Sequence, residues 1–147
     1  MADLNICVIG VGGVGGYFGG KLAYTFSPNL DFSVNIFFVA RGKHLEVIKK
    51  NGLILKSPEF GRLTCKPRLA MERISDLPEI DVFLICVKGY DLMDVATSLR
   101  DRIKENTVMI APLNGADIQE RLRSKIKTGI ILPTCAYLSS YVEEPGV

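Results

Sequence analysis

A single histidine, His44, stands in this sequence, and its four cysteines, Cys7, Cys65, Cys86 and Cys135, are far apart with no C-x-x-C spacing. That spacing favours neither a metal nor a disulfide role. Cys7 and Cys86 fall inside apolar strand patterns, so the cysteines read as buried free thiols of a reducing cytoplasm. Cys135 is placed near a strand end, beside a possible site. His44 follows Arg41-Gly42-Lys43 at the start of a polar helix and reads as an exposed side chain. The chain also lacks charge excess: its formal net charge is +2, with no dense basic tract, and this gives no electrostatic case for nucleic acid. No apolar run reaches the roughly eighteen residues of a membrane span. The uncharged stretch from Leu4 to Gly20 has no basic segment before it and is too rich in glycine for the core of a signal peptide. Internal repeats and low-complexity linkers are absent. A soluble α/β domain of 147 residues, 48% hydrophobic and 23% charged, remains.

What is present is concentrated at the start. Seven of the fourteen glycines lie within the first twenty residues. The apolar strand Leu4-Asn5-Ile6-Cys7-Val8-Ile9 runs into Gly10-Val11-Gly12-Gly13-Val14-Gly15, and a helical pattern follows. In this G-x-G-x-x-G order Gly10 permits a tight turn and Gly12 lets a pyrophosphate approach the backbone. Gly15 lets the helix pack close to the sheet. The unpaired amides and dipole of the helix N-terminus then face the phosphates. A merely structural glycine turn is the competing reading.

Downstream the pattern alternates. Val14, Phe18 and Leu22 recur at helical spacing and predict an apolar stripe. Gly19 and Gly20 lower helix propensity there and predict close packing against the sheet or a cofactor, with a poorly formed helix as the alternative. Ser27-Pro28-Asn29 ends this helix. A second strand is predicted over 34–39, followed by a short helix stopped by Asn51-Gly52. Leu53-Ile54-Leu55 and Leu63-Thr64-Cys65, flanking Ser57-Pro58-Glu59-Phe60-Gly61, predict a β-hairpin. The apolar run over 82–87 suits a central parallel strand. Asp91 is a candidate N-cap for a helix reaching about Lys104. A strand over 107–111, a helix over 116–125 and a strand over 129–132 complete the pattern. The fold class is α/β: a Rossmann-type, doubly wound, mainly parallel sheet with helices on both faces.

Three features stand at predicted strand ends, where such sheets bind ligands. Arg41 follows the second strand, where an NAD site carries Asp or Glu for the ribose 2′-hydroxyl. A carboxylate there repels a 2′-phosphate, whereas a guanidinium grips it. The expected cofactor is therefore NADP(H), with Lys43 as a weaker helper and a solvated basic turn as the alternative. Lys88-Gly89-Tyr90 follows the strand over 82–87; Lys88 is suited to a ribose or a substrate carboxylate, and Tyr90 to covering the nicotinamide side or simply packing. Asn114-Gly115 follows the strand over 107–111; Asn114 can donate and accept at once, which suits orienting a substrate, but on the residues alone an ordinary Asn-Gly turn is the preferred reading.

Taken together, Gly10-Val-Gly-Gly-Val-Gly15, Val39-Ala-Arg41, Cys86-Val-Lys88-Gly-Tyr90 and Leu113-Asn114-Gly115 resemble the N-terminal domain of the ketopantoate reductase (2-dehydropantoate 2-reductase) family, in order and spacing. Gly52-Leu53-Ile54-Leu55 resembles that family's segment after the second helix. The resemblance implies a cofactor site formed by Gly10, Gly12, Gly13, Val14, Gly15, Arg41, Lys88 and Asn114. Lys88 and Asn114 would also lie near the substrate pocket. It implies NADPH-dependent reduction of 2-dehydropantoate, a 2-keto acid, to pantoate on the route to pantothenate and coenzyme A. The family's proton donor is a lysine of a C-terminal helical domain, so no catalytic acid is assigned within these residues. The close at Glu144-Pro145-Gly146-Val147 is read as the edge of one domain, 1–147, of a longer protein. This domain is expected to bind cofactor without turnover. A long connection from Thr25 to Ser33 departs from the family pattern. The alternatives are a related reductase of another 2-keto acid, a non-catalytic NADP(H) sensor, and a structural α/β module.

Overall fold

The computed structural model describes residues 3–28 and 33–147. Apolar runs with both alternating faces hydrophobic become strands buried on two sides. Strand β1 (Leu4–Ile9) pairs in parallel with β2 (Val34–Val39) and with β6 (Val82–Ile85). Strand β5 (Leu69–Met71) extends the sheet beyond β2, while β7 (Val108–Ile110) and β8 (Ile130–Leu132) extend it beyond β6. The order is β5-β2-β1-β6-β7-β8, with all pairs parallel. This is the doubly wound order, and its direction of winding reverses between β1 and β6.

Alternation along the strands makes two cores. Cys7, Ile9, Phe37, Val39, Phe83 and Ile85 face helices α3 (Leu92–Leu99) and α4 (Ile118–Arg123). Val8, Ile36 and Phe38 face the opposite layer, which contains α1 (Gly13–Thr25), α2 (Gly42–Asn51) and the antiparallel hairpin β3 (Leu53–Ser57)–β4 (Gly61–Cys65). The hairpin forms a separate sheet, as its turn-flanked apolar segments predict. No helix of the described residues is long and apolar enough to cross a membrane.

Several expectations need correction. Helix α1 does not bury a stripe of Val14, Phe18 and Leu22, which stay half-buried. Its buried face is Gly15, Gly16, Gly19, Gly20 and Ala23. A Cβ on Gly19 would stand 3.1 Å from Phe38 and Val8 side-chain atoms, and one on Gly20 would stand 3.3 Å from Leu55. Small residues let the helix axis approach the sheet more closely than an apolar stripe would. Asp91 precedes α3 but makes no side-chain cap, and α3 ends at Leu99 in a 3-10 turn rather than near Lys104. Strand β5 was not foreseen: three residues are too few to show a period. Asn29 and residues 30–32 of the long connection lie outside the described residues.

The glycines of α1 are not interchangeable. A Cβ on Gly15 would fall 1.8 Å from the Gly10 carbonyl oxygen, while one on Gly16 would meet nothing nearer than 3.8 Å. Gly15→Ala is expected to destabilise by at least the ~1–3 kcal/mol of an overpacked core. Gly16→Ala is expected to stabilise by up to ~1 kcal/mol, since helical alanine is preferred over glycine. Urea unfolding of the two variants checks both signs; equal destabilisation would refute the close approach at Gly15 alone.

Candidate nucleotide-binding groove

The carboxyl ends of β1, β2, β5 and β6 open onto one groove of about 860 Å³, a volume within the usual range for cofactor sites. Its floor is Ile9-Gly10-Val11-Gly12, with Ala40-Arg41 on one flank and Cys86-Val87-Lys88 on the other. The groove therefore lies at the switch point between β1 and β6.

The glycine turn is built as its motif requires. Gly10 has a φ of 87°, a left-handed conformation that disfavours a side chain. Its N–H donates to the Val39 carbonyl at 2.9 Å, tying the loop to β2. Gly15 packs against Gly10 and against Cys86 Cβ, which a Cβ at Gly15 would approach to 2.9 Å. Gly12 is the N-cap of α1 and has no side-chain cap; a Cβ there would meet no atom within 4 Å. Open space thus stands in front of a helix start whose first amides have no intrahelical acceptor. A phosphate fits this arrangement: it needs donors, close approach and a positive dipole end. Gly13 faces elsewhere, toward the C-terminal segment, where a Cβ would clash with the Ser140 carbonyl. The Ser140 hydroxyl is buried there and has no hydrogen-bond partner.

Arg41 stands two residues beyond β2, with its side chain 77% exposed. Its Nη2 donates to Asp91 Oδ2 at 3.3 Å, so the carboxylate expected to cap α3 instead pairs with the guanidinium. Such an exposed pair is weak and leaves most of the guanidinium fork available. Lys43 pairs with Glu46 at 3.3 Å and is absent from the groove wall. Lys88 is exposed on the groove wall, with the exposed Tyr90 beside it. Asn114 is exposed beyond the end of β7, and neither it nor Cys135 lines the groove. The arrangement thus gathers Gly10, Gly12, Arg41 and Lys88 around one cavity and leaves Asn114 outside it.

Two residues were missed. Arg73 lies two positions beyond β5 and lines the groove on the Arg41 side, its Nε held by Asp76 at 3.2 Å. With β5 unrecognised, nothing in the sequence marked Arg73 as a strand-end residue. His44 is half-buried rather than exposed. Its Nε2 lies 2.6 Å from the Val11 carbonyl and its Nδ1 accepts the Gly146 N–H at 2.8 Å. Partners 33 and 102 residues away are invisible to local pattern. The described residues contain no cluster of His, Cys, Asp or Glu able to hold a metal.

Strand order, glycine turn and groove define a Rossmann-type α/β fold. The sequence model described as "Ketopantoate reductase PanE/ApbA" matches residues 6–147, and the chain belongs to this family of oxidoreductases. Among solved structures, 2-dehydropantoate 2-reductase from Porphyromonas gingivalis superposes with a TM-score of 0.88 at 33% identity, over 98% of this chain and 50% of that one. The enzyme of the same name from Methylococcus capsulatus gives 0.82 at 26%, over 97% and 44%. A curated 2-dehydropantoate 2-reductase of Mesorhizobium japonicum is 30% identical over 76% of this chain and 32% of its own length. An uncharacterised oxidoreductase of Bacillus subtilis, YkpB, is 29% identical over 97% and 44%. The chain therefore spans less than half the length of these curated relatives.

Burial also sets thiol chemistry around the groove. Desolvation pushes the Cys86 thiol up to about 12 and Cys65 up to about 11, and raises Cys7 further. All three stay protonated at pH 8, and thiols react as thiolates. Cys135 is exposed. Iodoacetamide at pH 8 is expected to label Cys135 first and Cys86 only slowly, at a rate still rising with pH beyond 9. Peptide mass mapping checks this, and rapid labelling of Cys86 would contradict its burial.

Proposed function

We propose that this chain binds NADP(H) and serves an NADPH-dependent reductase that converts 2-dehydropantoate to pantoate, toward pantothenate and coenzyme A. The observation that carries the cofactor choice is Arg41. An exposed guanidinium stands at the end of β2, on the wall of the groove floored by Gly10 and Gly12. A 2′-phosphate there would exchange one weak carboxylate contact for a bidentate charge-assisted one. Arg73 would add a second positive charge on the same side.

The remaining residues take roles by position. Gly12 and the first amides of α1, including Gly13 and Val14, would receive the pyrophosphate, and Gly15 keeps that helix start close to the turn. When bound, NADPH supplies a hydride to the ketone carbon. Lys88, across the groove from Arg41, would hold the nicotinamide ribose or the substrate carboxylate. Asn114, at the end of the neighbouring strand β7, would orient the substrate from beyond Lys88. Val11, Val39 and Ile9 keep the groove floor apolar, which excludes water from the space between the charged ends. The proton for the developing alkoxide would come from residues outside these 147, so Lys88 is not cast as the acid.

The substrate is proposed on family resemblance, and a related 2-keto acid is the second reading. D-mandelate dehydrogenase, solved with NADH, shares the fold at 19% identity and a TM-score of 0.76. Calorimetric titration separates the cofactor readings. NADPH is expected to bind more tightly than NADH, and Arg41→Ala to lose roughly 1.5–3 kcal/mol for NADPH with little change for NADH. Equal losses for both cofactors would remove the 2′-phosphate role. Failure of the parent to bind either would count against the nucleotide site itself.

A further inference from the structure

His44 joins three parts of the chain that are remote in sequence. It sits in the first turn of α2, just after Arg41. One ring nitrogen meets the carbonyl of Val11 inside the glycine turn, and the other meets the N–H of Gly146 in the C-terminal segment. The chemistry of the partners fixes the ring's state. A backbone N–H only donates, so Nδ1 must present its lone pair. A carbonyl only accepts, so Nε2 must carry the proton. The neutral Nε2–H tautomer alone satisfies both contacts.

The consequence for the turn follows from peptide geometry. The described peptide bonds are all trans, and in a trans unit the carbonyl and the next N–H point in opposite directions. Holding the Val11 carbonyl toward α2 therefore turns the Gly12 N–H away from α2. The neighbouring groups are already committed: the Gly10 N–H donates to Val39, and the Gly12 carbonyl accepts from Gly16. Between those two bonds, the side-chain contact made to the turn's backbone among the described residues is that of His44 on the Val11–Gly12 peptide. With glycines at 10, 12 and 13, its orientation would otherwise be weakly determined.

We infer that His44 is a positioning residue of the nucleotide site: its Nε2–H holds the Val11–Gly12 peptide in the orientation that presents the Gly12 amide to a phosphate. The inference rests on the nucleotide reading of the groove. It differs from a merely structural role, in which the ring serves only to fasten the C-terminal segment through Gly146. That segment has other attachments, since the Gly146 carbonyl accepts from Ile54 at 2.8 Å and Lys56 pairs with Glu143 at 2.5 Å.

Amide side chains separate the two contacts. Glutamine places its amide nitrogen near the Nε2 position and can still donate to Val11. Asparagine reaches only the Nδ1 position and can still accept from Gly146. NADPH titration of the parent, His44→Phe, His44→Asn and His44→Gln should show a loss of roughly three- to tenfold for Phe and Asn, with Gln restoring affinity. Thermal unfolding monitors the fold of each variant. Parent-like affinity in His44→Asn, or no rescue by Gln, would overturn the inference. Nitrogen-15 spectra of the parent provide a test that needs no variant to fold: they should show protonated Nε2 and unprotonated Nδ1 at neutral pH. The opposite tautomer or an imidazolium would overturn it. A parent that binds no NADPH would refute the functional reading, and the spectra would still test the clamp.

Discussion

The approach of Gly15 to the Gly10 carbonyl and to Cys86 is the contact on which the groove depends. It places the first turn of α1 directly over the gap between β1 and β6. Any side chain at Gly15 would push the helix start outward by the size of a methyl group or more. The amides of that turn would then no longer stand above the groove floor. Because Cys86 belongs to the segment leaving β6, the same contact sets the spacing between the glycine turn and Lys88. Binding geometry and packing are one constraint here, and the glycines of α1 extend it along the helix. Gly19 and Gly20 keep the axis close to Val8, Phe38 and the β3–β4 hairpin, at a cost in helix propensity that close packing must offset.

Much of this was legible. Runs such as Val34–Val39, apolar on both alternating faces, identify strands buried on two sides. The crossover helices between such strands make the sheet parallel. The glycine spacing after β1 and the arginine after β2 carry the groove, because both effects are local and need only a strand end to place them. What escaped was non-local. His44 looked solvated because nothing near it in sequence bonds to it. Asp91 fitted a capping pattern, yet its carboxylate found Arg41 on another strand's end. Strand β5 has only three residues, and its pairing with β2 decides it. The α1 stripe was misread because hydrophobic periodicity weighs large side chains, while the buried face of this helix is defined by their absence.

The C-terminal segment gives the glycine turn a second side. Gly13 lies against Ser140, and a smaller cavity of about 320 Å³ opens there, between Gly12, Tyr17, His44, the β3 strand and residues 139–143. The turn is thus a partition: one face looks into the groove at the strand ends, the other is covered by the chain itself. Gly12 and His44 border both spaces. On the covered side Ser140 lies against Gly13, and Gly146 is tied through His44 to the Val11 carbonyl of the turn. Covered loops of this kind bind with less ordering cost, because the conformation that presents the amides is already held.

Charge is arranged to the same end. The groove flank carries Arg41 and Arg73, each beside one carboxylate, Asp91 and Asp76. These pairs are exposed, so each contributes little to stability. Their value lies in direction: a guanidinium tethered at one corner presents its remaining donors in a narrower range of orientations than a free one. On the opposite flank Lys88 has no such tether among the described contacts, and its ammonium stays free to follow a ligand. A planar cation loosely held by one carboxylate on the side that would recognise a phosphate, and an untethered point charge on the side where chemistry would occur, would suit the two ends of a nicotinamide dinucleotide. A structural α/β module would have no use for that asymmetry, nor for open space in front of Gly12 at the start of a helix.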